Sequence, residues 1–484
     1  MSDIFATYQP PGVYVREEAS QVATLFGPGI SVVGIVGPSI GYRMHTEAIT
    51  LSGTTDVRLS KLGVDISSVV VTKANGDPAV VDDDYALTQG DGEDGLPSTS
   101  DDTMDIARSG GSTIGDGETV TVFYHYTDPT YFDPFRATNF GQITDAYGEP
   151  IDRSTGEIIS PLSFAAKFAF DNGASSVLTM ACAGTASLVD LNSLHAAYNT
   201  LLAQEDISIL VPLLVGITGT DNAPGSVLTA TTAVATHVNA ADGDGIYRTA
   251  VVGYERTVTI DPSTAAGAAD SKRVMVVYPN RLNYYNSVTQ QTTEISGYYL
   301  AAAYAGRMAS QDVQVPITRK AIYGFSGLPG SVLSAMTRSA KDGWSSSGVA
   351  VTEVSPTKGL VCRHGTSSNP ASVLTREISL IRARDTMLNS MVSSIDASDI
   401  IGSAIMEETP ARIKGIVQGV LENLVQQDTI VGYGTITVRQ TSLDPTVIEV
   451  KFDYQPAYPL NYISIVFAIN TTTGLIADNT TAAA

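Results

Sequence analysis

The hydrophobic pattern along this chain changes its period twice. It opens with "YQPPGVYVREEAS" (8–20), where the β formers Val13, Tyr14 and Val15 stand between a Pro-Pro pair and the charged run Arg16, Glu17, Glu18. The run Gly12–Arg16 is too short for a sheet of its own, so it predicts pairing with a strand from elsewhere. The run Ser31–Val36 in "SVVGIVGPSIG" is continuously apolar and reads as a buried strand, ended by Gly37-Pro38. Between 47 and 128 the period is two. The stretches "VRLS", "SSVVVTKANGDPAVV", "YALTQGDGEDG" and "ETVTVFYHYTD" are short β runs separated by Gly- and Asp-rich turns. In the last of them Val120, Val122, Tyr124 and Tyr126 share one face, and Thr121, Phe123 and His125 the other. With no helical period in this block, it predicts an inserted β-sandwich module.

From about residue 160 strands and helices alternate. "SSVLTMAC" (175–182), "ISILVPLL" (207–214), "RTAVVGY" and "KRVMVVYP" read as strands. "SLVDLNSLHAAYNTLLAQ" (187–204) sets Leu188, Leu191, Leu194, Tyr198 and Leu201 on one helical face, with Ser187 and Asp190 at capping-box spacing. Residues 226–240 and 297–310 read as further helices. This is the βαβ rhythm of a largely parallel sheet. Beyond Val349, "VAVTEV" and "GLVCRHG" read as a hairpin and 375–395 as one long helix. In a second helix, 410–427, Thr409 caps, Pro410 takes the first position, and Ile413, Ile416, Val417, Val420, Leu421 and Leu424 form the stripe. "GTITVRQ", "TVIEVKFDY" and "NYISIVFAIN" read as strands, the last bringing Ile463, Ile465, Phe467 and Ile469 into the sheet of the C-terminal unit.

The predicted fold class is α/β plus β in several domains. An N-terminal arm (1–20) precedes an α/β domain (21–46 with 129–345) interrupted by the β-sandwich module (47–128). A C-terminal α+β domain (346–470) and a tail (471–484) follow. A chain of 484 residues is long enough for two to four domains. The hydrophobic share of 43% suits a folded chain, and the charged share of 16% leaves much of the polar surface to Ser, Thr, Asn and Gly. A net charge of −22 argues against direct nucleic-acid binding and attraction to anionic lipid. It serves solubility, or complements a basic partner surface. "MSDIFATYQPPG" has neither the basic nor the apolar region of a signal peptide, and the apolar stretch 207–217 is too short to span a bilayer. A soluble protein made in a cytoplasm, without membrane insertion, is the expectation.

Candidate chemistry is sparse. "GDGEDG" (90–95) matches G-x-G-x-x-G in letters, but Asp91, Glu93 and Asp94 would repel a pyrophosphate and no helix follows. "DDDY" (82–85) lacks EF-hand spacing and reads as a solvated loop. The 5 histidines, His45, His125, His195, His237 and His364, form no metal-binding pair motif, and His195 reads as a satisfied boundary residue. Cys182 and Cys362 read as buried free thiols. Trp344 is an interface anchor or, preferably, a core packing residue. No G-x-S-x-G elbow occurs. No catalytic, cofactor or metal residues are expected, and a structural or assembly role is favoured.

Several stretches together resemble the contractile tail sheath proteins of bacteriophages. "PPGVYVREEAS" resembles the family's N-terminal signature, "ISVVGIVGPSIG" its first core strand, and "PITRKAIYGFSGLPG" (316–330) the lead into the C-terminal domain. "SLIRARDTML" (379–388) resembles the "IR--D" helix, and "FDYQPAYPLNYISIVFAI" (452–469) the closing strands. The resemblance implies a subunit that polymerises as stacked hexameric rings around a tail tube and contracts when triggered, without ATP or cofactor, to drive the tube through the host envelope for genome delivery. It also implies terminal arms that pair with neighbouring copies, with Gly12, Val13, Tyr14, Val15 and Arg16 as the inter-subunit strand. Its implied partners are further copies, tail tube protein, baseplate and tail terminator proteins, in a virion tail assembled in the host bacterial cytoplasm. A sheath from a non-viral injection or bacteriocin device is an alternative. So is an α/β enzyme with a β appendage.

Overall fold

The computed structural model describes residues 31–90, 102–219, 225–442 and 444–465. Among these residues an eight-stranded sheet forms the centre. Its order is Gly359–Cys362, Val349–Ser355, Val274–Tyr278, Thr249–Val252, Ile207–Pro212, Val32–Pro38, Val177–Cys182, Phe135–Ala137. The inner strands pair in parallel, and the two outermost pair antiparallel. Val32–Pro38 is buried along its whole length, as expected of a parallel strand covered on both faces. Its register sets Val36 beside Met180 on one side and Pro212 on the other. A Cβ on Gly37 would meet the Leu213 side chain at 2.5 Å, so the close-packed strand needs glycine there.

The crossovers explain the layers. The chain steps from Val32–Pro38 to Val177–Cys182 in one direction, then moves steadily the other way to Ile207–Pro212, Thr249–Val252 and Val274–Tyr278. Right-handed connections therefore put helix Pro161–Asp171 on one face and helices Leu191–Leu202, Val227–Gly243 and Pro262–Ala269 on the other. Helix Gly297–Ala309 packs beside Pro161–Asp171. Their backbones approach so closely that a Cβ on Gly306 would lie 2.2 Å from the Ala169 carbonyl oxygen.

Between Val32–Pro38 and Phe135–Ala137 the chain leaves this sheet and builds two three-stranded sheets around a separate hydrophobic core. Strands Arg43–Leu51 and Glu118–Tyr126 run antiparallel from Arg43 opposite Tyr126, so the entry and exit of this module lie side by side. Val120, Val122 and Tyr124 are buried in it, while Thr121 faces out.

The C-terminal unit has a third core, built from Met387, Leu388 and Met391 of helix Ile378–Asp396 and from Ile413, Val417, Leu421 and Leu424 of helix Thr409–Gln426. Ile416 and Val420 pack against it. Two small antiparallel ribbons complete it, Ile430–Tyr433 with Tyr454–Pro456 and Thr437–Gln440 with Ile448–Lys451.

Several details differ from the sequence expectations. The hairpin Val349–Cys362 forms, but it extends the central sheet instead of opening the C-terminal unit: Val349 pairs in parallel with Val276. Val349, Ala350 and Val351 are fully buried, and only a sheet covered on both faces satisfies such a run. The long helix over 375–395 is interrupted at Glu377, whose backbone is extended, with ψ 107°. Leu188 is exposed, because helix Leu191–Leu202 starts only after Asp190, which caps it alone by accepting from Asn192 N–H. Glu408, not Thr409, precedes the next helix. In line with its preferred reading as a packing residue, Trp344 packs on the Tyr278 ring, 4.7 Å between centroids, at the border of the central core. Cys182 and Cys362, by contrast, are buried free thiols as expected.

Candidate assembly interface

The N-terminal strand residues Gly12, Val13, Tyr14, Val15 and Arg16 lie outside the described residues, as do Phe467 and Ile469. Ile463 and Ile465 are described, and they are in no strand. After Tyr454–Pro456 the chain runs on to residue 465 without a ladder partner among the described residues. Along it Leu460, Tyr462, Ile463 and Ile465 are 75–83% exposed. Large apolar side chains presented together on an irregular segment are the mark of a surface that is covered in an assembly.

The ribbons next to this segment are equally unfinished. A two-stranded antiparallel sheet is marginal on its own and gains stability from a third strand. Val431, on the ribbon Ile430–Tyr433, is 56% exposed. The open edges of such ribbons present unpaired N–H and C=O groups to any strand that arrives.

The exposed segment is tied to the body at one well-built point. Glu377, fully buried at the break between the helices Val373–Arg376 and Ile378–Asp396, receives three donors on one oxygen, Oε1. His364 Nε2 is 2.9 Å away, Asn461 Nδ2 donates at 3.0 Å and Arg376 Nε at 3.2 Å. Burial pushes the Glu377 carboxyl pKa up, but His364 and Arg376 outweigh it and hold it below its ordinary value. Asn461 thus fastens the chain in the middle of its exposed stretch, between Leu460 and Tyr462. Beside this point lies a groove of about 470 Å³, lined by Arg319, Arg363, Arg376, Glu353, Asp342 and Tyr462 among others. Glu353 is shared by Arg319, Lys341 and Arg363 at 2.6–2.9 Å.

The segment 316–330 holds one edge of the central sheet. Arg319 N–H donates to Cys362 C=O, and Ile322 N–H to Leu360 C=O, so this strand edge is occupied by the chain itself. The "IR--D" stretch joins the C-terminal unit to the body. Asp385 binds Arg273 through two bonds, at 2.6 and 2.8 Å, with Asp242 as a second carboxylate on the same guanidinium. Arg273 is completely buried. Burial opposes its charge, yet the two carboxylates hold its pKa above the ordinary arginine value. Arg382 donates to Ser31 at the start of the first strand of the central sheet. Sequence reasoning did not find these buried arginines, since a charged residue beside a strand reads as solvent-facing.

A second groove, about 550 Å³, lies between helices Leu191–Leu202 and Val227–Gly243. His195, Tyr198 and His237 border it in a tilted ring series, with centroids 5.7 and 5.2 Å apart. His195 Nε2 has no hydrogen-bond partner among the described residues, which departs from the satisfied residue expected from sequence. Among the described residues no three His, Cys, Asp or Glu side chains cluster to hold a metal ion. No described helix is long and apolar enough to cross a membrane.

Over 423 residues, 86% of its length, the chain is 33% identical to the tail sheath protein of Mycobacterium phage Bxz1 and covers 70% of that protein. The chain belongs to the tail sheath protein family. The tail sheath protein of Bacillus phage SP01 is 26% identical over 202 residues, 41% of this chain and 34% of that one. No family model matches. The sheath fold itself is also found in solved structures. The helical sheath of the anti-feeding prophage in its contracted state aligns with a TM-score of 0.54 and 13% identity, over 96% of this chain and 100% of that one. The contracted sheath complex of the extracellular contractile injection system PVC aligns with a TM-score of 0.53 and 14% identity, over 96% and 99%. This sheath protein is accordingly a structural, contractile component of a phage virion tail.

Proposed function

We propose that this sheath subunit polymerises through strands exchanged between copies. The observation that carries this reading is the unpaired apolar segment running to Ile465 beside two unfinished ribbons. In an assembly, Ile463 and Ile465, continuing to Phe467 and Ile469, become a strand in a sheet shared with a neighbour. Gly12–Arg16 of another copy adds to the same unit. Main-chain bonds supply strength in such a pairing, and alternate side chains set its register. A heterologous contact whose rotation does not close generates a helix, here stacked hexameric rings around a tail tube. Baseplate and tail terminator proteins bound the two ends, assembly takes place in the host cytoplasm, and contraction drives the tube through the envelope for genome delivery. Within the subunit, the arm 1–20, the α/β body, the inserted module 47–128 and the C-terminal unit act as separate parts, with the body's boundary moved to include the hairpin that ends at Cys362.

Removing residues 1–18 tests the exchange. The truncated protein is expected to stay a folded monomer, with unchanged circular dichroism and thermal midpoint, and to form no tubes by negative-stain microscopy. Tubes of normal length from it would refute strand exchange through the N-terminal arm.

A further inference from the structure

The helical layer on one face of the central sheet is almost free of charge. Its helices Leu191–Leu202, Val227–Gly243 and Pro262–Ala269 have 12, 17 and 8 residues, and Asp242 is the one Asp, Glu, Lys or Arg among them. Asp242 bonds the buried Arg273. The other acids of the layer stand at helix ends, Asp190 and Asp261 as N-caps, Asp244 and Asp270 as C-caps. The outward positions hold short side chains, among them Asn199, Thr232, Thr236, Ala240, Thr264 and Gly267. Elsewhere exposed helix positions carry charge as usual: Lys167 and Asp171 on helix Pro161–Asp171, and Arg412, Lys414 and Glu422 on helix Thr409–Gln426.

The layer is also indented and continuous. The groove of about 550 Å³ has Asn199 and Leu202 on one wall and Thr232, Thr236 and Ala240 on the other. His195 and Tyr198 border it, and neither His195 Nε2 nor the Tyr198 hydroxyl has a hydrogen-bond partner among the described residues. Thr232 Oγ1 donates to Ala268 C=O at 3.1 Å, which ties the second helix to the third. A charge-depleted centre inside a polar rim is the anatomy of a surface that another protein covers. Short side chains lose little rotamer freedom on being covered.

The net charge selects the occupant. Identical chains of charge −22 repel one another, so two copies approach most favourably where acidic residues are missing. We propose that this helical layer is a contact face for a second copy of the chain, with a projecting side chain of the neighbour seated in the groove beside His195. In a helical assembly copies meet through unlike patches, so a different surface of the neighbour lies against the layer. The contact belongs to the body and is independent of strand exchange at the C-terminal edge. Ion pairs across an interface fix its register. A face without them leaves the bodies free to settle in more than one register while other contacts keep the copies linked.

Two measurements on the full-length protein test this face. The first is the concentration at which tubes sediment. Asn199→Glu with Thr236→Glu is expected to raise it about tenfold or more, with unchanged circular dichroism of the monomer. Asn199→Lys with Thr236→Lys makes the chain less acidic, yet it is expected to raise that concentration as well, because either sign of charge is buried at the contact. The assignment is overturned if the Glu variant assembles like the parent, or if the Lys variant assembles as well as the parent or better, since net charge and not this face would then govern assembly. The second measurement stands even where the charged variants fail to fold. Cys182 and Cys362 are buried, so Thr236→Cys supplies an accessible thiol on the layer. A maleimide is expected to label it at least tenfold more slowly in tubes grown from this chain alone than in the monomer. Equal labelling in both overturns the proposal. Protection that appears only when tail tube protein is added overturns it too, and assigns the face to that partner. Tubes formed by the 1–18 deletion would refute strand exchange through the N-terminal arm and leave this contact standing.

Discussion

The central sheet and the C-terminal edge of this subunit solve the same problem in opposite ways. In the centre, every strand from Val349–Ser355 to Val177–Cys182 has a partner on both sides, and the charges at the joint are buried in pairs. The free edge at Gly359–Cys362 is occupied by residues 319–322 of the same chain. At the C-terminal edge the ribbons have two strands each among the described residues, and the following residues leave Leu460, Tyr462, Ile463 and Ile465 exposed. A subunit that must hold its shape while its neighbours rearrange needs a closed body. A subunit that must be linked to its neighbours needs an edge completed only by them. Stability should therefore be concentrated in the body, and sensitivity of assembly at the edge.

The largest effect on folding is expected at the joint. Asp385→Ala leaves Arg273 fully buried with Asp242 as its remaining carboxylate. Removing one partner of a buried pair costs about 3–5 kcal/mol where the remaining charge is left uncompensated, and because Asp242 stays on Arg273 the loss here is expected near or below the lower end of that range. A urea titration of the variant should show a midpoint shift of that size. The control is the surface pair Arg58 with Asp105, where Arg58 is 62% exposed and its loss is expected to change the midpoint little. If Asp385→Ala and Arg58→Ala shift the midpoint equally, the joint does not carry the body's stability.

A smaller, pH-dependent effect is expected at the groove between the helices. His237 is buried beside Arg248, whose Nη1 lies 3.4 Å from its Nε2, with the Tyr198 ring packed alongside. Burial, with the Arg248 charge second, pulls its pKa down to about 4. The unfolded chain, with an ordinary value near 6.5, then binds the proton more readily than the folded one. Stability from this group is complete above about pH 6.5 and declines as the pH falls toward 4, by on the order of 3 kcal/mol. His237→Gln should flatten that part of the stability–pH curve. An unchanged slope between pH 6.5 and 4 would show that the loss belongs to other groups.

What the sequence made legible follows the same division. The continuous apolar runs of the body, Val32–Val36 and Val274–Val277, could only be buried strands, and they are. The alternating block between 47 and 128 announced its strands because one face of each small sheet is wet. Helix Pro161–Asp171 was not legible. It is buried on nearly all sides, so "PLSFAAKFAF" carries no amphipathic stripe. The break at Glu377 was hidden too, since it depends on His364, Arg376 and Asn461 meeting that carboxylate from distant positions. "NYISIVFAIN" alternates as a strand should, yet among the described residues its own residues 461–465 join no strand ladder. Pattern reports what a segment is built to do, and only the fold shows whether its partner is in the same molecule.

The smallest effect on folding, and the most informative about the edge, is expected from Ile463→Asp with Ile465→Asp. Both side chains are at least 75% exposed in the isolated subunit, so replacing them removes almost no buried surface there. Substitutions at such positions usually stay within about 0.5 kcal/mol. The thermal midpoint of the monomer should not move measurably. In a sheet shared with a neighbour the same side chains would be buried, and unpaired carboxylates there are costly. Sedimentable tubes should then disappear at concentrations where the parent assembles fully. The two measurements separate the edge from the body within one variant. A large drop in the monomer's midpoint would place Ile463 and Ile465 in the subunit's own core. An unchanged midpoint with normal tubes would mean that this segment stays exposed in the assembly, and that the ribbons take their third strand from somewhere else.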